Sequence, residues 1–133
     1  MPGSAGRPNV KRILIAEDDP TNQFVIRAIL VAAGFDVLIR ENGEEALQAV
    51  RNERPDLILL DMMMPGMDGT EVCRRLRALP GLGEVPVVFL SARVHDEDEP
   101  EDPTLGPVTH LSKPFDPQLL VGLVRRKIGG SGP

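Results

Sequence analysis

Asp61 closes the apolar run Leu57, Ile58, Leu59, Leu60 and opens Met62, Met63, Met64, Pro65, Gly66, Met67, Asp68, Gly69, a stretch rich in turn-forming residues. Continuous apolar runs mark strands of parallel sheets covered on both faces, and ligands collect just beyond the carboxyl ends of such strands. An ionised Asp there is poorly solvated unless something positive meets it, which makes Asp61 a metal ligand, a nucleophile or both. A second acidic group, Glu17, Asp18 and Asp19, follows the apolar run 13–16. Carboxylates packed together repel by roughly 4 kcal/mol per pair at about 4 Å and an effective dielectric near 20, and a bound cation relieves that repulsion. An all-oxygen donor set with few protein ligands suits Mg²⁺ better than Ca²⁺, with Mn²⁺ as the alternative. Ser91 follows the run 85–90, and Lys113 follows the run 108–111 in Leu111, Ser112, Lys113, Pro114, Phe115. A hydroxyl and an ammonium facing a carboxylate-bound cation make a pocket for a phosphoryl group.

Positioning these residues requires strands, and there are five apolar runs, 13–16, 35–39, 57–60, 85–90 and 108–111. Helical patterns separate most of them. Asp19-Pro20 predicts a cap and first turn ahead of a helix over 22–33 that stops at Gly34. Asn42 caps a second helix with Glu45 at the capping-box position, and that helix ends before Pro55. A third spans about 68–79, and a last one follows Asp116-Pro117 to residue 128. Alternating strands and helices imply right-handed crossovers and an open, doubly wound α/β domain with one five-stranded parallel sheet. In the flavodoxin-like order 2-1-3-4-5 the first and third strand ends lie side by side, which brings Glu17 and Asp18 to Asp61.

The chain has 133 residues, 41% hydrophobic and 26% charged, with a formal charge of −5. That length fits one core, and the charge disfavours direct nucleic-acid binding. Cys73 is the only cysteine, no apolar stretch approaches the ~20 residues of a membrane span, and residues 1–6 lack the apolar core of a signal peptide. A cytoplasmic location is expected. Residues 1–9 and 129–133 read as flexible tails, the second also as the start of a linker, around a folded domain over 10–128.

Glu17-Asp18, Asp61, Ser91 and Lys113-Pro114, in this order at four strand ends, resemble the receiver domain of two-component response regulators. The resemblance covers nearly the whole folded chain. It implies that Asp61 accepts a phosphoryl group from a histidine kinase or histidine phosphotransfer protein, and that the chain then switches conformation to regulate a downstream protein. It implies Mg²⁺ bound by Asp18, Asp61 and the backbone carbonyl of Met63, with Glu17 helping through water. Lys113 would contact the phosphoryl oxygens, Ser91 would rotate in to bind one, and Lys113-Pro114 would be cis, a form only an X-Pro bond adopts cheaply. The aromatic switch position of the fifth strand falls on His110. The chain would catalyse its own phosphorylation and slow hydrolysis without turning over an external substrate. Met63 and Arg93 stand where the family tunes dephosphorylation, and Met cannot orient a water, so slow self-hydrolysis is expected.

Plainer readings compete at several positions. Asp19 reads as an N-cap rather than a ligand. Met62, Met63 and Met64 read as packing or loop filling, and Cys73, near Val72 and Leu76, as a small core residue. His95 reads as a solvated loop residue, and His110 as either a packed ring or the switch. The family's fourth helix should lie over 94–106, but this segment is acidic and carries Pro100 and Pro103, so it is expected to be short or disordered. The face it belongs to is a common output surface, which shifts the expected partner surface to the first or the last helix. Two other functions remain open: a pseudo-receiver that binds partners without phosphorylation, and a haloacid-dehalogenase-like phosphatase suggested by Met67-Asp68-Gly69-Thr70. The phosphatase signature needs its nucleophile at position 66, which is Gly.

Overall fold

The computed structural model describes residues 10–91 and 103–129. Strand and helix alternate as β1 (Arg12–Ala16), α1 (Pro20–Ala32), β2 (Asp36–Arg40), α2 (Gly43–Glu53), β3 (Leu57–Asp61), α3 (Gly69–Arg77), β4 (Val87–Ser91), β5 (Val108–Ser112) and α4 (Pro117–Gly129). All five strands are parallel, in the order β2-β1-β3-β4-β5. This is the flavodoxin-like, doubly wound arrangement that the alternation of runs predicts.

The two-residue period of the strands divides the core. Leu14, Ala16, Ile58, Leu60, Val87 and Phe89 pack with Val50 of α2 and Val72, Cys73 and Leu76 of α3. Ile13, Ile15, Leu57, Leu59, Val88 and Leu90 point the other way, to Ile26 and Leu30 of α1 and Leu120 and Val124 of α4. Every residue of β3 is buried, so this strand stands between both layers and its end is shielded from solvent. Cys73 is a buried core thiol, as its helical neighbours suggest.

Caps set the helix starts. Asp19 Oδ1 accepts from Thr21 N at 3.3 Å, Asn42 Oδ1 from Glu45 N at 2.9 Å and Asp68 Oδ1 from Glu71 N at 2.9 Å. Each satisfies an amide that the first helical turn leaves without a partner. Asp19 is therefore a cap, as expected, and α1 starts at Pro20, two residues earlier than its apolar pattern indicates. Gly34, at φ +99°, lets the chain leave α1 in the left-handed region.

Most of the segment 94–106, with His95, lies outside the described residues, as does Arg93. Its described end is short, as expected, and it is anchored to the core. Pro103–Leu105 forms one 3-10 turn, and Leu105 is buried in the α2–α3 layer. Arg77, at the end of α3, explains this anchoring: Nε donates to Leu105 O at 2.6 Å, Nη2 to Pro107 O at 2.9 Å, and Nη1 to Val85 O at 2.6 Å and Leu82 O at 3.1 Å. Cys73 Sγ adds a contact to Leu105 O at 3.4 Å. One guanidinium thus ties α3 to both chain segments that enter β4 and β5.

Candidate functional site

Parallel register builds the site. Ala16 lies opposite Leu60, so the residue after β1, Glu17, falls beside Asp61 at the end of β3. Carboxylate oxygens of Glu17, Asp18 and Asp61 all come within 4.8 Å of one another. Glu17 is fully buried and Asp61 is 5% exposed, while Asp18 faces solvent. Lys113 Nζ reaches in from beyond β5, 3.1 Å from Glu17 Oε1 and 3.6 Å from Asp61 Oδ2. Its peptide bond to Pro114 is cis, and its backbone N–H donates to Ser91 O at 2.7 Å, which holds the ends of β4 and β5 together. Met63 takes part through its backbone, donating its N–H to Asp61 Oδ1 at 3.0 Å.

Electrostatics leave this cluster short of positive charge. Three carboxylates face one ammonium, and Glu17 shows the strain. Burial pushes its carboxyl above the ordinary glutamate range and the Asp61 charge adds to this, while the Asp19 N–H and Lys113 pull the other way. Hard oxygen donors with uncompensated charge, one of them open to solvent, fit a small divalent cation that keeps several waters. The donor set therefore agrees with Mg²⁺.

Ser91 and His110 lie on the neighbouring strands β4 and β5. Ser91 closes β4 opposite Ser112, and His110 lies opposite Phe89 with ring centroids 5.3 Å apart. His110 is thus a packed ring in this structure. The methionines divide: Met64 is in the core and Met62 packs partly against it, whereas Met63 is 76% exposed and contributes no side-chain packing there. Asp68, the residue behind the phosphatase alternative, is spent on capping α3, and Gly66 occupies the position a nucleophile would need.

One contact was not legible in the sequence. Gln23 Nε2 donates to Glu17 O at 2.6 Å, reaching back from the first turn of α1 to the acidic pair. The available signal is spacing: a long amide six residues after Glu17, on the half-buried side of the helix. Beside Asp18 an open cleft of about 1000 Å³ lies between the β2–α2 and β3–α3 connections, lined by the acids Asp18, Glu41, Glu44, Asp68 and Glu71 and by the cation Arg75.

Residues 13–125 match the response regulator receiver domain family. The chain belongs to that family. This receiver is 42% identical over 118 residues to the DNA-binding response regulator MtrA of Mycolicibacterium smegmatis, a match covering 89% of this chain and 50% of MtrA. It spans about half the length of the curated relatives it matches first. Among solved structures it is similar to the receiver domain of a sensor histidine kinase from Pseudomonas aeruginosa PAO1, with TM-score 0.81 and 33% identity over 90% of this chain and 98% of that one. That structure holds a magnesium ion coordinated in its active-site cleft. The chemotaxis protein CheY4 of Vibrio cholerae superposes with TM-score 0.82 at 27% identity, covering 89% of this chain and 98% of that one. Family membership makes this chain a receiver domain of two-component signalling rather than a haloacid-dehalogenase-like phosphatase domain. Among the described residues no helix is long and apolar enough to cross a membrane.

Proposed function

We propose that this receiver accepts a phosphoryl group on Asp61 from a histidine kinase or histidine phosphotransfer protein, with Mg²⁺ as obligatory cofactor. The observation that carries the reading is Lys113 Nζ, held 3.1 Å from Glu17 and 3.6 Å from Asp61 within the three-carboxylate cluster. An Asp61 carboxylate oxygen forms the new P–O bond as the bond from phosphorus to the donor nitrogen breaks and its electron pair leaves with the imidazole. Lys113 neutralises a phosphoryl oxygen, and the Ser91 hydroxyl donates to another. Asp18, Asp61 and Met63 O would hold the cation with Glu17 behind them, and when bound it would supply positive charge to the carboxylates and phosphoryl oxygens. The modified state then biases an existing equilibrium in which Ser91 and His110 rearrange. Residues 10–128 form the receiver unit, placed in the cytoplasm, and any nucleic-acid contact belongs to other protein.

Intact-protein mass after incubation with Mg²⁺ and acetyl phosphate tests this. A gain of one phosphoryl group that EDTA abolishes is expected. A protein that binds Mg²⁺ and gains none needs its protein donor, while one that binds no Mg²⁺ is the pseudo-receiver.

The donor seat we assign is the outer face of α1, which begins two residues after Asp18. Phe24 is 73% exposed, Val25 42% and Val31 50%, and Arg27 is the only charged residue in this helix. A helix apolar on its outer face as well as its inner one is built to be covered. Phe24→Asp should slow phosphotransfer from a histidine-phosphorylated protein at least tenfold, the loss expected of an aromatic anchor. The acetyl phosphate rate should stay unchanged. Equal slowing with both donors would contradict the assignment.

A further inference from the structure

Glu17 is gripped through the peptide groups on both sides of its Cα. Glu17 N–H donates to Arg40 O at 3.0 Å, which carries the β1–β2 ladder one residue beyond Ala16. The Glu17 carbonyl accepts from Gln23 Nε2 at 2.6 Å. Gln23 is itself fixed, since its backbone N–H closes the first turn of α1 on Asp19 O at 2.9 Å. A peptide unit is planar, so holding its oxygen, with the Glu17 N–H held on the other side of the Cα, restrains the orientation of the plane from Glu17 Cα to Asp18 Cα from which both side chains depart. Those side chains supply two of the three carboxylates that meet within 4.8 Å. Helix propensity gives no reason for Gln over Leu, Lys or Ala at this position.

We propose that Gln23 is a positioning residue for divalent-cation binding, acting through the Glu17 carbonyl to aim the Glu17 and Asp18 carboxylates. It touches neither the cation nor the phosphoryl group. The inference rests on the Mg²⁺ reading above. It also joins that site to α1, because Gln23 precedes Phe24 on the helix proposed to receive the donor.

The test is Mg²⁺ titration of the whole chain by calorimetry, needed because the sequence has no Trp or Tyr to report by fluorescence. Gln23→Met keeps length and helix propensity and removes the donor. Its Mg²⁺ dissociation constant should rise about tenfold, the low end of what loss of an outer-shell partner costs. The thermal midpoint of the Mg²⁺-free protein should fall by no more than about 4 °C. Gln23→Glu adds a negative charge that would by itself tighten Mg²⁺ binding. Weaker binding in both variants is expected. An unchanged constant in Gln23→Met with a lowered midpoint would reduce Gln23 to a helix anchor, and tighter binding in Gln23→Glu would show that the Gln23 hydrogen bond does not aim the carboxylates. Either result overturns the proposal. A wild-type chain that takes up no Mg²⁺ would overturn the metal reading itself.

Discussion

Asp61→Asn should raise the thermal midpoint of the Mg²⁺-free protein while removing its response to Mg²⁺. Asp61 is 5% exposed and shares a space of 4.8 Å with the carboxylates of Glu17 and Asp18. Each such pair repels by up to about 4 kcal/mol at an effective dielectric near 20, and Lys113 can offset only part of the sum. Burying Asp61 as an ion adds to the cost, because a buried charge loses solvation that one partner does not fully restore. Asn keeps an oxygen for the Met63 N–H, and its neutral amide replaces the Oδ2 that lies 3.6 Å from Lys113 Nζ, leaving that ammonium to Glu17. A gain of about 2 kcal/mol, or roughly 8 °C for a domain of this size, is expected. Mg²⁺ at about 100 times its dissociation constant should stabilise the wild type by about 2.7 kcal/mol, and the variant hardly at all. Differential scanning calorimetry with and without Mg²⁺ reads both effects. A variant less stable than wild type without Mg²⁺ would mean that the cluster carries no repulsion.

Arg77→Ala should be strongly destabilising although Arg77 lies away from the site. Its guanidinium holds four carbonyls, those of Leu82, Val85, Leu105 and Pro107. Burial pulls it below the ordinary guanidinium value, yet Arg stays charged at any working pH, so these are charge-assisted bonds worth about 1.5–3 kcal/mol each before water replaces some of them. Pro107 O also accepts from Val87 N at 3.2 Å, which links the loss directly to the start of β4. A net cost of about 3 kcal/mol, or roughly 12 °C in thermal midpoint, is expected. Arg77→Lys should recover only part, because one ammonium cannot reach both segments. A loss below about 1 kcal/mol in chemical denaturation would show that water serves those carbonyls equally well.

The sheet order and the acidic triad were legible because both are written in one dimension. Apolar runs fix which segments are strands, and an acid after the first and third strands is enough to place Glu17, Asp18 and Asp61 together once the strands lie side by side. Asp19 was legible as a cap because Asp before Pro has a local backbone reason. Arg77 was not, since its partners are main-chain carbonyls up to thirty residues away and no side-chain type marks a carbonyl that needs a donor. Leu105 was missed for the same cause: a lone apolar residue among acids and prolines has no periodicity, and its burial follows from the Arg77 clamp rather than from its own segment. Gln23 looks like a solvated helix residue until the turn before α1 folds the Glu17 carbonyl over it.

The residue that takes the phosphoryl group is the decisive point of this chemistry. Borohydride reduction of the acetyl phosphate-treated receiver converts an aspartyl phosphate to homoserine, and peptide mass then locates it. Homoserine at position 61 alone, dependent on Mg²⁺ and absent from Asp61→Asn, is the predicted result. Homoserine at position 18 or another acidic position, or a phosphoryl adduct that survives in Asp61→Asn, would contradict it.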